Sequence, residues 1–136
     1  MDKTLQILGL AKKAGLLAIG LRDTAEAARA GKASIVISAA DASGNALRQA
    51  QRSAEAARTL HVTVPYSGFD LGTISGRGSP GTIAILDIGL AARFLKGIAE
   101  TDPASYGGTA EILEQEYRKR EEKRKQTLSG KRRTAI

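Results

Sequence analysis

Apolar residues recur along the first hundred positions in two spacings that alternate from one segment to the next. Where they stand three or four residues apart, as at Leu5, Leu8 and Ala11, the spacing predicts the buried face of a helix. Where they form a short continuous run, the pattern predicts a strand that is covered on both faces. Four such runs occur, at residues 16–19, 34–38, 62–64 and 82–86.

Polar caps and glycine stops between these runs predict five helices. Side-chain oxygens accept hydrogen bonds from the unpaired N–H groups of a first helical turn, and glycine commonly follows the last turn. The expected starts are Asp2, Asp23 with Glu26 in capping-box spacing, Ser43 or Asn45, Phe69 and Asp87, and the first two helices should stop at Gly15 and Gly31. Because strands that alternate with helices need crossover connections, we predict an α/β fold over residues 1–100, a three-layer α/β/α sandwich with a central four-stranded mixed sheet.

Residues 101–136 are expected to lie outside this domain. Residues 102–103 and 107–108 carry the Asp-Pro and Gly-Gly pairs of a linker, and four-apart pairs of opposite charge over residues 110–125 favour a solvated helix. Such a helix is marginal in isolation. From Thr127 we expect a disordered basic tail.

The charge along the chain points to a polyanionic partner. The formal net charge is +7 with a sequence pI near 10, and a positive field of that size attracts nucleic acid. Residues 1–100 carry 12 Lys and Arg against 8 Asp and Glu, whereas residues 117–136 carry 9 against 2. The tail is therefore expected to neutralise phosphates, although it has few means of reading base edges.

Length and composition bound the class of protein. A chain of 136 residues with 42% hydrophobic residues has the size and apolar content of one domain with a real core. The sequence has no cysteine, which excludes disulfides and zinc–thiolate sites. No run approaches the roughly 18 apolar residues of a membrane-spanning helix. We expect a monomeric cytoplasmic protein without a membrane partner.

Enzymatic chemistry has little support in the sequence. Residues 76–81 match the letters GxGxxG, but a dinucleotide site needs a strand before that motif and a helix after it, whereas here a strand follows. A flexible glycine loop is the better interpretation. His61 is the one histidine and stands beside a strand, where a structural role is favoured over that of a general base. We therefore predict no enzyme activity, no cofactor and no metal.

Basic side chains flank the first strand and the second helix, at Lys12, Lys13, Arg22 and Arg29. They admit two interpretations, a solvated face or a phosphate-contacting surface, and the N-terminus of the second helix is itself suited to anions. Aromatic residues make up only 4% of the chain, which disfavours stacking of a single strand on the sheet. Structured RNA, read through its backbone and shape, is the better match.

Several short segments form a distinctive set through their order and spacing. They are residues 8–15 (LGLAKKAG), Gly20, residues 29–33 (RAGKA), residues 35–43 (IVISAADAS), Val64-Pro65, Leu71-Gly72 and residues 83–87 (IAILD). Over about residues 3–99, the set resembles the ribosomal protein family L-seven-Ae and L-thirty-e, in particular its bacterial YlxQ-like members. The resemblance implies an α/β/α sandwich that binds kink-turn or related structured RNA without a cofactor.

In that family, RNA is gripped by the turn into the second helix and by the loop before the last strand. The resemblance carries these roles to Gly20, Leu21, Arg22, Asp23, Thr24 and Glu26, and to Gly76, Arg77, Gly78, Ser79 and Pro80. There is a departure at the first segment. Strong kink-turn binders carry Asn-Glu where this chain has Arg22-Asp23, and Lys where it has Glu26, so the turn is expected to face phosphate.

The sequence thus predicts a structured-RNA-binding protein without catalysis, associated with the ribosome and its rRNA or with another kink-turn-like RNA. The alternative is a protein-interaction adaptor on the same fold that has lost kink-turn recognition. Salt separates the two, because binding through several phosphates weakens steeply as salt rises.

Overall fold

The computed structural model describes residues 2–76 and 78–134, with side chains as far as Leu128. Helices and strands alternate as predicted, and a further helix follows. In chain order they are α1 (Lys3–Lys13), β1 (Leu17–Ile19), α2 (Leu21–Arg29), β2 (Ile35–Ser38), α3 (Gly44–Ala57), β3 (Leu60–Thr63), α4 (Gly68–Ser75), β4 (Thr82–Ile85), α5 (Ile88–Thr101) and α6 (Pro103–Thr134).

The four strands form one mixed sheet in the order β1-β4-β2-β3. β4 pairs antiparallel with both β1 and β2, whereas β2 and β3 pair in parallel. The parallel pair needs a crossover, which α3 supplies. The predicted α/β fold with a central four-stranded mixed sheet is confirmed.

Apolar side chains cover both faces of the sheet. Ile35 and Ile37 belong to the main core, which they share with α1, α5 and α6. Val36 points to the other face and packs against Ala50 and Ala54 of α3. Because successive residues of a strand point to opposite faces, the continuous apolar run in β2 is buried on both sides. The helices therefore form two outer layers around the sheet.

Three of the predicted N-terminal caps are confirmed. Asp2, Ser43 and Asp87 each accept a hydrogen bond from a backbone N–H in the first turn of the following helix, at 2.7, 3.1 and 2.9 Å respectively. These bonds satisfy donors that a helix leaves unpaired. They fix the starts of α1, α3 and α5.

The predicted cap of α2 is wrong. The helix begins at Leu21, with Gly20 as its N-cap and no side-chain cap, so Asp23 lies inside the first turn. Gly20 has φ 93 and ψ 163, a conformation that glycine adopts readily and other residues avoid. This glycine turns the chain straight from β1 into α2, which moves the helix start ahead of Asp23.

The structure differs from the predicted linker and isolated helix, because α6 is continuous from Pro103. Asp102 accepts a hydrogen bond from the N–H of Ser105 at 3.2 Å, and proline suits a first helical position because it has no N–H to leave unpaired. Leu113 is only 2% exposed and belongs to the main core. The burial of Leu113 helps to offset the loss of helix stability caused by the two glycines at residues 107–108, about 1 kcal/mol each.

α5 and α6 form an antiparallel hairpin along one face of the domain. Near its turn, the hydroxyl of Tyr106 donates to the carbonyl oxygen of Thr63 at 2.9 Å. At the other end, the ring of Tyr117 lies against Gly89, where a Cβ would be 3.0 Å from Cε1 of the tyrosine. Beyond Tyr117, α6 passes the start of α5 and leaves the domain. The helix continues to Thr134, past Thr127, where the sequence predicted that disorder begins.

The packing of α6 predicts a sharp difference between two neighbouring residues. Leu113→Ala should lower the free energy of unfolding by about 2 to 5 kcal/mol, because it leaves a cavity in the main core. Ile112→Ala is the control, since Ile112 is 54% exposed and its loss should cost about 0.5 kcal/mol or less. Urea denaturation measures both, and equal small effects would contradict the packing of α6 on the domain.

Candidate nucleic-acid interface

The strand directions bring several loops to one edge of the sheet. β1, β2 and β3 run the same way, so their carboxyl ends lie beside the amino end of β4. We call this edge the loop end and define it by Gly20, residues 39–43 and residues 78–81. Helices α2, α3 and α4 all begin there, so the positive ends of three helix dipoles point towards it. The opposite edge, the far end, consists of residues 14–16, 31–34, 58–59 and 86–87.

Backbone hydrogen bonds tie the two predicted RNA-binding segments together at the loop end. The N–H of Gly20 donates to the carbonyl oxygen of Thr82 at 2.8 Å, which joins the turn into α2 to the end of the glycine loop. The N–H of Ala39 donates to the carbonyl oxygen of Gly81 at 2.8 Å, which adds the loop after β2. Segments that are far apart in sequence therefore lie side by side.

The start of α4 completes this edge. The N–H of Gly68 donates to Oδ1 of Asp41 at 2.8 Å, so Asp41 supports the start of α4. A Cβ on Gly68 would lie 3.1 Å from the carbonyl oxygens of both Ser79 and Pro80. The helix and the glycine loop therefore approach each other as closely as a glycine allows.

The start of α2 differs from those of α3 and α4. Side chains of Ser43 and Ser67 cap the latter two, whereas Gly20 offers no side chain to the first turn of α2. Arg22 and Glu26 pair across one turn at 3.6 Å, with 91% and 56% of their side chains exposed. An exposed pair of this kind contributes little to stability, so the guanidinium of Arg22 can turn to an external anion at small cost.

Two hydroxyl groups are buried beside this turn without a hydrogen-bond partner among the described residues. They belong to Thr24 in α2 and to Thr82, whose carbonyl oxygen accepts from Gly20. A buried hydroxyl without a partner costs roughly 1 to 3 kcal/mol. The interior beneath the loop end therefore contains polar groups.

Of the remaining predicted residues, one lies beside the start of the glycine loop and two lie towards the far end. Lys12 lies beside the glycine loop, since its Nζ is 2.6 Å from the place of a Cβ on Gly76. Arg29 is the last residue of α2, about 12 Å along the helix from its start, and Lys13 ends α1, which leads into the far end. These two are not brought to the loop end. Arg77 lies outside the described residues.

Two side chains at the loop end are additions to the predicted site. Phe69, in the first turn of α4, is 71% exposed beside the glycine loop. Arg48 lies in the second turn of α3, and its Nη1 reaches back to 3.3 Å from the place of a Cβ on Gly44. The exposure of Phe69 has no signal in the sequence, because it depends on which side of α4 packs on the domain.

His61 lies in β3 and contacts the neighbouring strand. Its Nε2 lies 2.8 Å from Oγ of Ser38 on the neighbouring strand. Partial burial lowers the pKa of the imidazole from its usual value because burial disfavours the charged form. Among the described residues, no cluster of three or more acidic, His or Cys side chains could hold a metal, and none of the helices is long and apolar enough to cross a bilayer.

Comparison with known proteins gives structural likeness without a sequence match. No family model matches the chain, and no curated protein matches it. A protein of unknown function from Bacillus halodurans C is similar in structure, with a TM-score of 0.65 and 23% identity over 72% of this chain and 98% of that one. The 15.5kD RNA binding protein of Giardia lamblia has a TM-score of 0.57 and 18% identity, over 80% of this chain and 85% of its own. These likenesses establish a shared fold, which supports the expected family at the level of the fold.

The lowered pKa of His61 predicts a pH dependence of stability. The folded protein binds a proton at His61 less readily than the unfolded chain does. The contribution of the neutral imidazole to stability is therefore fully present above the unfolded pKa of about 6.5 and is lost as pH falls below it. The melting temperature of the parent should therefore fall between about pH 6.5 and pH 5 more than that of His61→Gln. Parallel curves for the two proteins would show that His61 titrates alike in both states.

Proposed function

We propose that the protein binds structured RNA through the loop end of its sheet. The main support for this proposal is the backbone hydrogen bond between Gly20 and Thr82, which joins the turn into α2 to the end of the glycine loop. These two segments are the ones to which the family resemblance assigns RNA contacts, and they form one surface. An uncapped helix start at its centre offers backbone N–H groups to an anion.

The exposed side chains around this turn suit RNA in two ways. The guanidinium of Arg22 is suited to phosphate oxygens, which it contacts with a planar set of donors. The ring of Phe69 presents a face on which an unpaired base can stack, in the way that single bases stack on exposed aromatic side chains. A bent RNA with splayed bases offers both partners at once.

Kink-turn or related RNA is the proposed target, and the ribosome is the proposed setting. The support is the family resemblance together with the likeness to the RNA binding protein of Giardia lamblia. Arg22-Asp23 replaces the Asn-Glu pair with which strong kink-turn binders read purine pairs, and Glu26 replaces their lysine. Recognition by this chain therefore depends more on phosphate contacts and stacking than on base edges at that turn.

Two substitutions test the surface. Phe69→Ala should weaken binding of a kink-turn RNA by about 1 to 3 kcal/mol, the value of one base stacked on an aromatic ring. Arg22→Ala should flatten the dependence of log K on log salt by about 0.7 to 0.9, the share of one phosphate contact. Neither should change the melting temperature appreciably, since both side chains are exposed. Fluorescence anisotropy of labelled RNA at several salt concentrations measures both effects.

Matched controls lie on other faces of the domain. Leu10→Ala removes an apolar side chain that is 50% exposed on α1, and Arg93→Ala removes an exposed cation on α5. Both should bind RNA like the parent. If the Phe69 and Arg22 variants also bind like the parent, the loop end is not the RNA site. If no structured RNA binds with salt dependence, the adaptor function is favoured instead.

A further inference from the structure

The far end of the domain carries a second group of cations, separate from the loop end. Arg120 of α6 lines two open grooves, one of about 460 Å³ towards residues 57–60 and one of about 440 Å³ towards residues 15–16. Both grooves also include residues 31, 33 and 34 of the loop before β2. α6 therefore passes over the far end and leaves concave surface on each side.

The charge of these grooves is positive. Arg58 and Arg120 line the first groove, and Lys32 and Arg120 line the second. Among the described residues, Glu116 is the one acid in either lining, and it pairs with Arg120 at 3.5 Å. Because Glu116 pairs with Arg120, the described linings of the grooves contain no further acid to balance the charges of Lys32 and Arg58.

The backbone of Arg58 supports a role for its side chain. The residue ends α3 in the left-handed conformation, with φ 55, where glycine is common and other residues are strained. Glycine would end the helix with less strain. The arginine places an exposed guanidinium at the groove instead.

The projecting part of α6 adds to this positive surface. Two of its arginines pair with acids of the same helix, Arg118 with Glu114 at 3.2 Å and Arg124 with Glu121 at 3.3 Å. Glu122 is the other acid of this part and lies on the same open surface as Lys119 and Lys123. Lys119 and Lys123 stand four residues apart on one exposed face. Among the described residues they have no ion-pair partner. From Arg120 to its end, α6 extends roughly 20 Å at 1.5 Å per residue.

We propose that this region is a second nucleic-acid-binding surface, which grips the phosphate backbone of an RNA duplex. We call it the far-end surface and define it by Lys32, Arg58, Lys119, Arg120 and Lys123. A row of cations without aromatic rings matches the regular charge of a duplex and does not read bases. A membrane surface is a poorer fit because a membrane-bound helix needs an apolar face, and Leu128 is the one exposed large apolar side chain of the projecting part as far as it is described.

The position of this surface has a consequence for assembly. It lies at the opposite edge of the sheet from the loop end, so one RNA segment at each end can be bound at once. The proposal does not rest on the proposed function of the loop end, because a plain duplex without bulges suffices to test it.

The test uses the full chain and an RNA duplex of about 20 base pairs. Lys119→Gln with Lys123→Gln keeps helix propensity and should reduce the slope of log K against log salt by roughly 1.4 to 1.8, the share of two phosphate contacts. Arg93→Gln with Lys96→Gln makes the same charge change on α5 and should leave the slope unchanged. Arg58→Gly should weaken duplex binding without lowering the melting temperature, since glycine relieves the backbone.

Three outcomes would contradict the proposal. If the α6 variant keeps the parent's slope, the lysines form an ordinary solvated face and the proposal fails. If the α5 control loses as much slope as the α6 variant, binding reflects net charge alone and the proposal also fails. Selective loss of binding to phosphatidylserine vesicles or to an acidic protein, with duplex binding kept, would assign the surface to that partner. Arg22→Ala should leave duplex binding unchanged, which keeps this test separate from that of the loop end.

Discussion

β4 lies between β1 and β2 in the sheet, and its direction determines which loops of the molecule meet. Inserted antiparallel between β1 and β2, this strand begins at the edge where its neighbours end. Its first residue accepts the hydrogen bond from Gly20, and the residue before it accepts the one from Ala39. The glycine loop must therefore arrive beside the starts of α2 and α3. A parallel β4 would put that loop at the opposite edge, and the candidate site would not exist.

The same sheet separates two kinds of charged surface. At the loop end, helix starts and backbone N–H groups combine with a few side chains such as Arg22, which suits an RNA whose shape brings phosphates and splayed bases together. At the far end, exposed cations of the loops and of α6 lie beside helix C-termini, whose negative dipole ends they offset, and it is these cations that suit the uniform backbone of a duplex. The hairpin of α5 and α6 connects the two, because it runs from the loop end at Tyr106 to the far end at Tyr117.

Local patterns were sufficient for the alternation of elements and for most helix starts, because caps such as Asp2 and Asp87 act within a few residues. The features that the sequence did not predict depend on tertiary packing. The start of α2 depends on a glycine turn held by the distant Thr82, and α6 is continuous because the buried Leu113 outweighs its glycine pair. The exposure of Phe69 likewise depends on how α4 docks. Of the candidate site, its two main segments followed from the sequence and the family resemblance, whereas their contact required the fold.

RNA binding at the loop end can be tested directly by following backbone amide chemical shifts during a titration with a kink-turn RNA. We expect the largest changes at residues 20–24 and 78–81, with smaller changes in the first turn of α4 around Phe69. Those amides lie within one surface held together by the Gly20 to Thr82 hydrogen bond. Changes confined to α5, or to the projecting part of α6, with none at the turn into α2, would contradict the assignment of RNA binding to the loop end.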